Sequence, residues 1–503
     1  MSIVSFYYIA FLLLTIIIYY LFPKKHRWPV LLLSSIVFFL VSVIETDYKL
    51  IFYPLMGILV SYVGSNIIYR AKKGKKLVLF LTIFILLGTL ILLKWFNIIP
   101  MTLNVFGKLF DINTHYGTFN ILAPLGISYY TLSLIGYVVD VYVGAYETEK
   151  NPFKLCLYGL YYPILVSGPF VRYSKMKEEL FSVKEFEYSN IFIGFERIVF
   201  GFMKKLVIAD TLAPFVKAVF ADYQLYSGYY IIIALVLYAI QIYCDFSGCM
   251  DIVIGTSKMY GINLDENFNS PFLSRNLSEF WRRWHISLGL WGRDYIMYPL
   301  LKSNAFQKLG SFLRKIFGKK TGKLITTLIP IFILWLLIGL WHGASFRYIF
   351  CAGILPWIYL ASSQIFEGLI LKINQVFHIR TECFSFQVFR ILRTLMLMCF
   401  IWLFACSPSL SESIDVMKSI LVIKDTNLFE SLPQLPMLVL FISLGLVFAV
   451  DYYNYKEINL FEEFQKQNIV FKYAAVLFVM FLVLMYGAYG PGFNASDFIY
   501  GGF

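Results

Sequence analysis

The chain has 503 residues, 59% of them hydrophobic and only 15% charged, and its uncharged apolar runs repeatedly approach the roughly twenty residues needed to cross a bilayer core. That composition predicts an all-α, polytopic membrane protein. The net charge of +13 does not signal nucleic acid, because the lysines and arginines sit in short clusters between apolar runs, as loop anchors on the cytoplasmic side of a membrane do.

In chain order the predicted spans cover residues 3–22, 28–45, 49–69, 77–97, 121–143, 153–171, 188–208, 228–246, 324–342, 347–366, 386–406, 434–451 and 470–489. This is a layout of about eleven to thirteen transmembrane and re-entrant helices. The first run, "SIVSFYYIAFLLLTIIIYYLF", has no basic residues before it and no small-residue cleavage site after it, so it is expected to be a spanning helix rather than a removed signal peptide. "KKHR" follows the first span and "RAKKGKK" the third, while Glu45 and Asp47 lie between the second and third; the positive-inside rule then places the amino terminus outside. Strict alternation fails further on, because "RYSKMK" and the "MKK" of residues 203–205 cannot both be cytoplasmic with one full crossing between them. That conflict predicts re-entrant segments. The seven cysteines, Cys156, Cys244, Cys249, Cys351, Cys383, Cys399 and Cys406, lie mostly in apolar runs without a CxxC pair, which argues for packing and against a disulfide framework or a metal site.

The longest break in hydrophobicity runs from about 262 to 323, too long for an ordinary bundle connection and too aromatic to be disordered. It is expected to be a helical insertion, re-entrant or interfacial. Within it, a helical projection of "NLSEFWRRWHISLGLWGRD" puts Phe280, Trp281, Trp284, Leu288 and Trp291 on one stripe and Arg282, Arg283 and Arg293 opposite, with Asn276 or Ser278 as cap. His285 falls at the edge, beside Gly289 and Gly292. Composition by itself favours an amphipathic interfacial helix with tryptophan anchors and arginines meeting lipid phosphates.

A second histidine shifts the balance. Between Leu324 and Phe366 only His342 and Arg347 are charged or imidazole side chains, and ionisable groups at membrane depth usually face the protein interior or a water-filled cavity. The competing reading is a histidine snorkelling at a helix end or satisfied by a backbone carbonyl. His26, His115 and His378 lie in polar surroundings and carry no expectation. Asp245 and Ser247 in "CDFSG", with Asp251 beyond, could order a site by bonding an arginine or a backbone amide, but the favoured reading is structural, a helix cap or a buried salt-bridge partner; Asn267, Pro271 and Arg275 read as loop formers.

No G-x-S-x-G elbow, P-loop, HExxH or Cys-His-Asp pattern is present. What remains is a neutral imidazole able to take a proton from a hydroxyl as it attacks an activated acyl carbonyl, with a second histidine to bond the oxyanion or orient the acceptor. A transporter and a passive scaffold are the alternatives. The sequence shows no inverted repeat to support the transporter.

The stretches "PLGISYYTLSLIGYVVDVYVG" (124–144), "SGPFVRY" (167–173), "GFMKKLVIAD" (201–210), "YAIQIYCDFSGCMDIVIG" (238–255), "NFNSPFLSRNLSEFWRRWHISLGLWGRDY" (267–295) and "GLWHG" (339–343) resemble, in order, the membrane-bound O-acyltransferase (MBOAT) family. The similarity is to the bacterial branch of alginate O-acetylation and teichoic acid D-alanyl transfer proteins. It implies a single domain over 1–503, a ring of helices around a central tunnel, His342 as catalytic histidine and His285 as its second. Trp284, Arg282, Arg283, Asn267 and Trp341, flanking the two histidines, are the expected substrate-binding residues. The implied activity moves an acyl group, acetyl in the first instance, from a cytoplasmic thioester to hydroxyls of an extracytoplasmic cell-envelope polysaccharide. D-alanyl transfer to teichoic acid is the alternative. No cofactor or metal is expected to be bound, and acetyl-CoA or an acyl carrier protein would be co-substrate. Expected partners are membrane lipids, that donor, and the polysaccharide or a secreted or anchored acyltransferase, in a bacterial plasma membrane. The ending "GPGFNASDFIYGGF" is similar to that of the alginate-type members, whereas Ala405 replaces an arginine usual there and residues 301–323 are unusually Lys-rich.

Overall fold

The computed structural model describes residues 1–44, 47–109, 116, 117, 119, 121–343, 345–407, 409–424 and 436–490. His115, Glu45 and the ending from residue 491 on lie outside these. Among the described residues the chain is helical throughout, with one isolated antiparallel bridge between Phe268 and Trp284.

Among the described residues nine helices are long and apolar enough to cross a membrane: Lys24–Ile44, Tyr48–Arg70, Lys75–Trp95, Gly228–Met259, Asn304–His342, Phe346–Ile365, Phe384–Cys406, Met437–Tyr455 and Ile469–Tyr486. The other four predicted spans are shorter or broken. Residues 3–22 give Phe6–Leu21, started by Ser5, whose hydroxyl accepts from Tyr8 N at 3.2 Å. Residues 121–143 give Ile127–Tyr142, and 153–171 give two short pieces, Pro152–Leu160 and Tyr162–Leu165. Residues 188–208 give Tyr188–Phe202 followed by a π-helical stretch, Met203–Ala209. Large apolar side chains such as Phe80 and Phe84 are more than 60% exposed, as a hydrocarbon solvent permits and water does not.

The chain divides into two compact units, Met1–Phe202 with Cys249–Asp265, and Met203–Gly248 with the residues from Glu266 onward. The core of the first is rich in tyrosine, and each buried hydroxyl needs a partner once water is excluded. Thr15 and Tyr260 share a bond of 2.6 Å, Tyr162 and Tyr260 one of 2.8 Å, Tyr8 and Thr256 one of 3.0 Å, and Tyr161 donates to Ser257 at 3.3 Å. Arg197 pairs with Asp251 at 3.0 Å.

In the second unit Lys205 is fully buried and bonds Asp245 at 2.6 Å and Asp210 at 2.9 Å. This resolves the conflict over "MKK". Lys205 is neutralised inside the protein, and Lys204 is buried with its ammonium 5.7 Å from the Tyr243 ring, so neither marks a cytoplasmic loop. Asp245 is thus a structural partner, of a lysine rather than an arginine.

The insertion 262–323 is largely helical. Its second half doubles back at Gly318, whose φ of 78° and ψ of 167° are open to glycine and costly for other residues. A Cβ on Gly322 would fall 2.5 Å from the backbone of Arg314, and one on Gly310 would fall 3.0 Å from Thr326. These pairs are symmetric about Gly318, so the two arms pack antiparallel with glycine at their close approaches. The second arm, 319–342, is about 36 Å long at 1.5 Å per residue, enough to cross the bilayer core. Gly322→Val should therefore push the arms apart and cost about 1–3 kcal/mol. Thermal unfolding in detergent checks this, with Gly88→Ala, where a Cβ meets nothing within 4 Å, as the neutral comparison.

Candidate active site

The projected aromatic stripe is not one helix. Leu277–Arg283, capped by the Asn276 side chain accepting from Glu279 N at 2.8 Å, ends at Trp284, and a new helix runs over Ile286–Gly292. Between them Trp284 is extended and His285 adopts a left-handed conformation, φ 49° and ψ 52°. A break frees backbone groups, and buried ones must find other partners. The segment 267–269 supplies them: Asn269 N donates to Arg283 O and Ile286 N to Asn267 O, both at 3.0 Å, around the Phe268–Trp284 bridge. Periodicity therefore misplaces the side chains beyond Trp284. Holding a non-glycine residue left-handed costs about 1–3 kcal/mol and persists only where the surroundings enforce it.

Asn267, fully buried, enforces it with its side chain. Ser287 N donates to Asn267 Oδ1 at 2.9 Å, which fixes the amide orientation, so Asn267 Nδ2 donates to His285 Nδ1 at 3.1 Å. The alternative, His285 Nδ1 donating to Oδ1, is longer at 3.4 Å. Read from these partners, the ring carries its proton on Nε2. Burial first, and then the nearby His342, push the His285 imidazolium down to about 3, so at pH 7 the ring is a neutral hydrogen-bond donor.

His342 is the last residue of its helix and is buried. The Trp341 ring neighbours both histidines, its centroid 6.0 Å from His285 and 4.9 Å from His342. Phe246 closes on His285 edge to face at 4.8 Å. The arrangement is two imidazoles against one indole, in surroundings that keep the His285 ring neutral. Such a site can move a proton at one atom and bond a developing negative charge at another.

A model of the MBOAT, membrane-bound O-acyltransferase, family matches residues 149–406, which include both histidines. The chain belongs to the membrane-bound O-acyltransferase family. It is 33% identical over 336 residues to the probable alginate O-acetylase AlgI of Pseudomonas aeruginosa, covering 66% of this chain and 60% of that protein. To the peptidoglycan O-acetyltransferase of Helicobacter pylori it is 27% identical over 344 residues, 63% and 60% of the two chains. To the teichoic acid D-alanyltransferase of Bacillus subtilis it is 27% identical over 319 residues, 58% and 75% of the two. The chain spans between 50% and 64% of the length of the first alginate relatives it matches. With nine helices long and apolar enough to cross a membrane among the described residues, this MBOAT chain is a multi-pass membrane protein.

Of the expected site residues, the structure brings His285, His342, Asn267 and Trp341 together. Trp284 instead packs in an aromatic cluster, its ring 5.1 Å from Phe268 and 5.5 Å from both Phe280 and Trp402. Arg282 and Arg283 line a separate cavity. Sequence reasoning missed Asp451, which accepts from Tyr243 OH at 2.8 Å and whose carbonyl accepts from Ser270 Oγ at 2.6 Å. It thereby tethers the loop that carries Asn267. An aspartate closing a run as apolar as Met437–Tyr455 was the available signal. Among the described residues no three His, Cys, Asp or Glu side chains converge as metal ligands.

Asn267→Ala should strand the Ser287 N–H and free the His285 ring. The expected loss is about 1–3 kcal/mol of stability, together with a fall in whatever reaction His285 serves. Thermal unfolding and turnover measured on one preparation test the two parts.

Proposed function

We propose that the protein is an O-acyltransferase that carries an acyl group, acetyl in the first instance, from a cytoplasmic thioester to a hydroxyl of an extracytoplasmic cell-envelope polysaccharide. The observation that carries this reading is the pair of buried histidines flanking Trp341, one of them neutral with its proton on Nε2. In this mechanism His342 takes the proton of the acceptor hydroxyl as its oxygen attacks the thioester carbonyl. The carbonyl oxygen gains the negative charge, and His285 Nε2–H stabilises it. Collapse restores the carbonyl and breaks the carbon–sulfur bond, and His342 returns its proton to the departing thiolate. The products are an ester and a free thiol, so protons and electrons balance without a further reagent.

The names of the relatives support acetyl transfer first and D-alanyl transfer second, since the alginate-type protein is 33% identical and the teichoic acid protein 27%. The direct test is to offer the purified chain labelled acetyl and D-alanyl thioesters with soluble oligosaccharides and to identify the ester formed. Acetyl ester is the expected product. D-alanyl ester alone would move the assignment to the second reading, and no ester from either donor would overturn the function.

A further inference from the structure

We infer that a cavity lined by helix Leu277–Arg283 and by Arg390 of helix Phe384–Cys406 is a binding site for a phosphate-class anion, a phosphate monoester or pyrophosphate group. The cavity holds about 400 Å³ and is lined by Arg275, Asn276, Glu279, Arg282, Arg283 and Arg390. Four guanidiniums therefore face one carboxylate. That carboxylate is already committed: Glu279 Oε2 accepts from Arg275 N at 3.0 Å, and Oε1 from Arg283 Nε at 3.2 Å with Nη2 at 3.1 Å. Arg283 is further anchored by donating from Nη1 to Asn269 O at 3.0 Å and by lying 5.0 Å over the Tyr455 ring.

Among the described residues neither Arg282 nor Arg390 reaches a carboxylate within ion-pair distance. Like charges gathered in one concavity raise each other's energy until an anion enters. Planar guanidiniums, with their forked donors, match phosphate oxygens in particular. Glu279 then acts as a strut that aims two arginines and leaves two for the ligand.

The placement gives the site a use. Helix Leu277–Arg283 ends two residues before His285, so an anion held here is bound to the helix next to the second histidine. A phosphate-bearing thioester donor anchored in the cavity would have its acyl end directed to that neighbourhood. This last step rests on the acyl-transfer reading, while the anion site itself does not. A lipid headgroup offers the same phosphate chemistry, and the experiment separates the two sources.

The test uses the full chain in neutral detergent at fixed ionic strength. Pyrophosphate should raise the unfolding midpoint saturably. Arg282→Gln with Arg390→Gln should weaken its binding by about tenfold or more, and Arg282→Lys with Arg390→Lys should keep part of it. Micelles doped with phosphatidylglycerol that compete with pyrophosphate would assign the site to a lipid headgroup; pyrophosphate binding without such competition would assign it to a soluble donor. No specific shift in the native chain, or an equal shift in the double glutamine variant, would overturn the site. Transfer activity without anion binding sinks this inference alone, and anion binding without transfer sinks the proposed function alone.

Discussion

If His342 is the general base proposed above, His342→Ala should lower acyl transfer by about a hundredfold to ten-thousandfold, while the protein still folds. His342 is the last residue of its helix, before the Gly343 cap, so truncating its side chain leaves the backbone hydrogen bonds of the helix in place. The Trp341 ring beside it keeps its second contact, with His285. Single-turnover transfer and thermal unfolding on one preparation give the two readouts. Near-normal turnover would exclude the base. Loss of folded protein would return His342 to the structural reading, a histidine that closes a helix.

Asp245→Ala should cost about 1–3 kcal/mol, because the buried Lys205 loses its shorter hydrogen-bonded partner and keeps only Asp210. Lys205 is fully buried between Asp245 and Asp210, and water cannot reach its ammonium to replace the lost carboxylate. Folded yield and the unfolding midpoint in detergent should both fall. A combined replacement, Asp245→Leu with Lys205→Met and Asp210→Asn, should recover part of the loss, because it removes all three charges at once. If the single variant unfolds like the native chain, or the combined variant is the worse by the sum of its parts, the ion cluster does not hold this unit together.

The spans were legible because hydrophobic length is a direct consequence of bilayer thickness. Among the described residues the nine long helices fall where the apolar runs place them, and those helices that differ in extent do so where composition changes within an element, as at Gly318. The contacts that hold the site in place were less legible. His285 and His342 stood out as rare ionisable groups among apolar residues, and Asn267 stood near them in the sequence. What periodicity concealed was the break at Trp284 and His285. A bridge to Phe268 stabilises it, and that pairing joins residues sixteen apart in the chain, which a helical projection assumes away. Lys205 and Asp451 were hidden for a related reason. Their partners, Asp245 and Tyr243, come from a different helix, and no local spacing announces a contact made in three dimensions.

Sealed vesicles containing the purified chain show whether an acyl group passes to an acceptor across the membrane by way of His285 and His342, as proposed. A labelled acetyl thioester is placed on the side of the "RAKKGKK" cluster, residues 70–76, which the positive-inside rule makes cytoplasmic, and an oligosaccharide acceptor on the other. Labelled ester should form on the acceptor side with the native chain, at a rate lower by about a hundredfold or more with His342→Ala. Ester formation at the same rate in both, or thioester consumption with no ester in the acceptor compartment, would contradict the proposal.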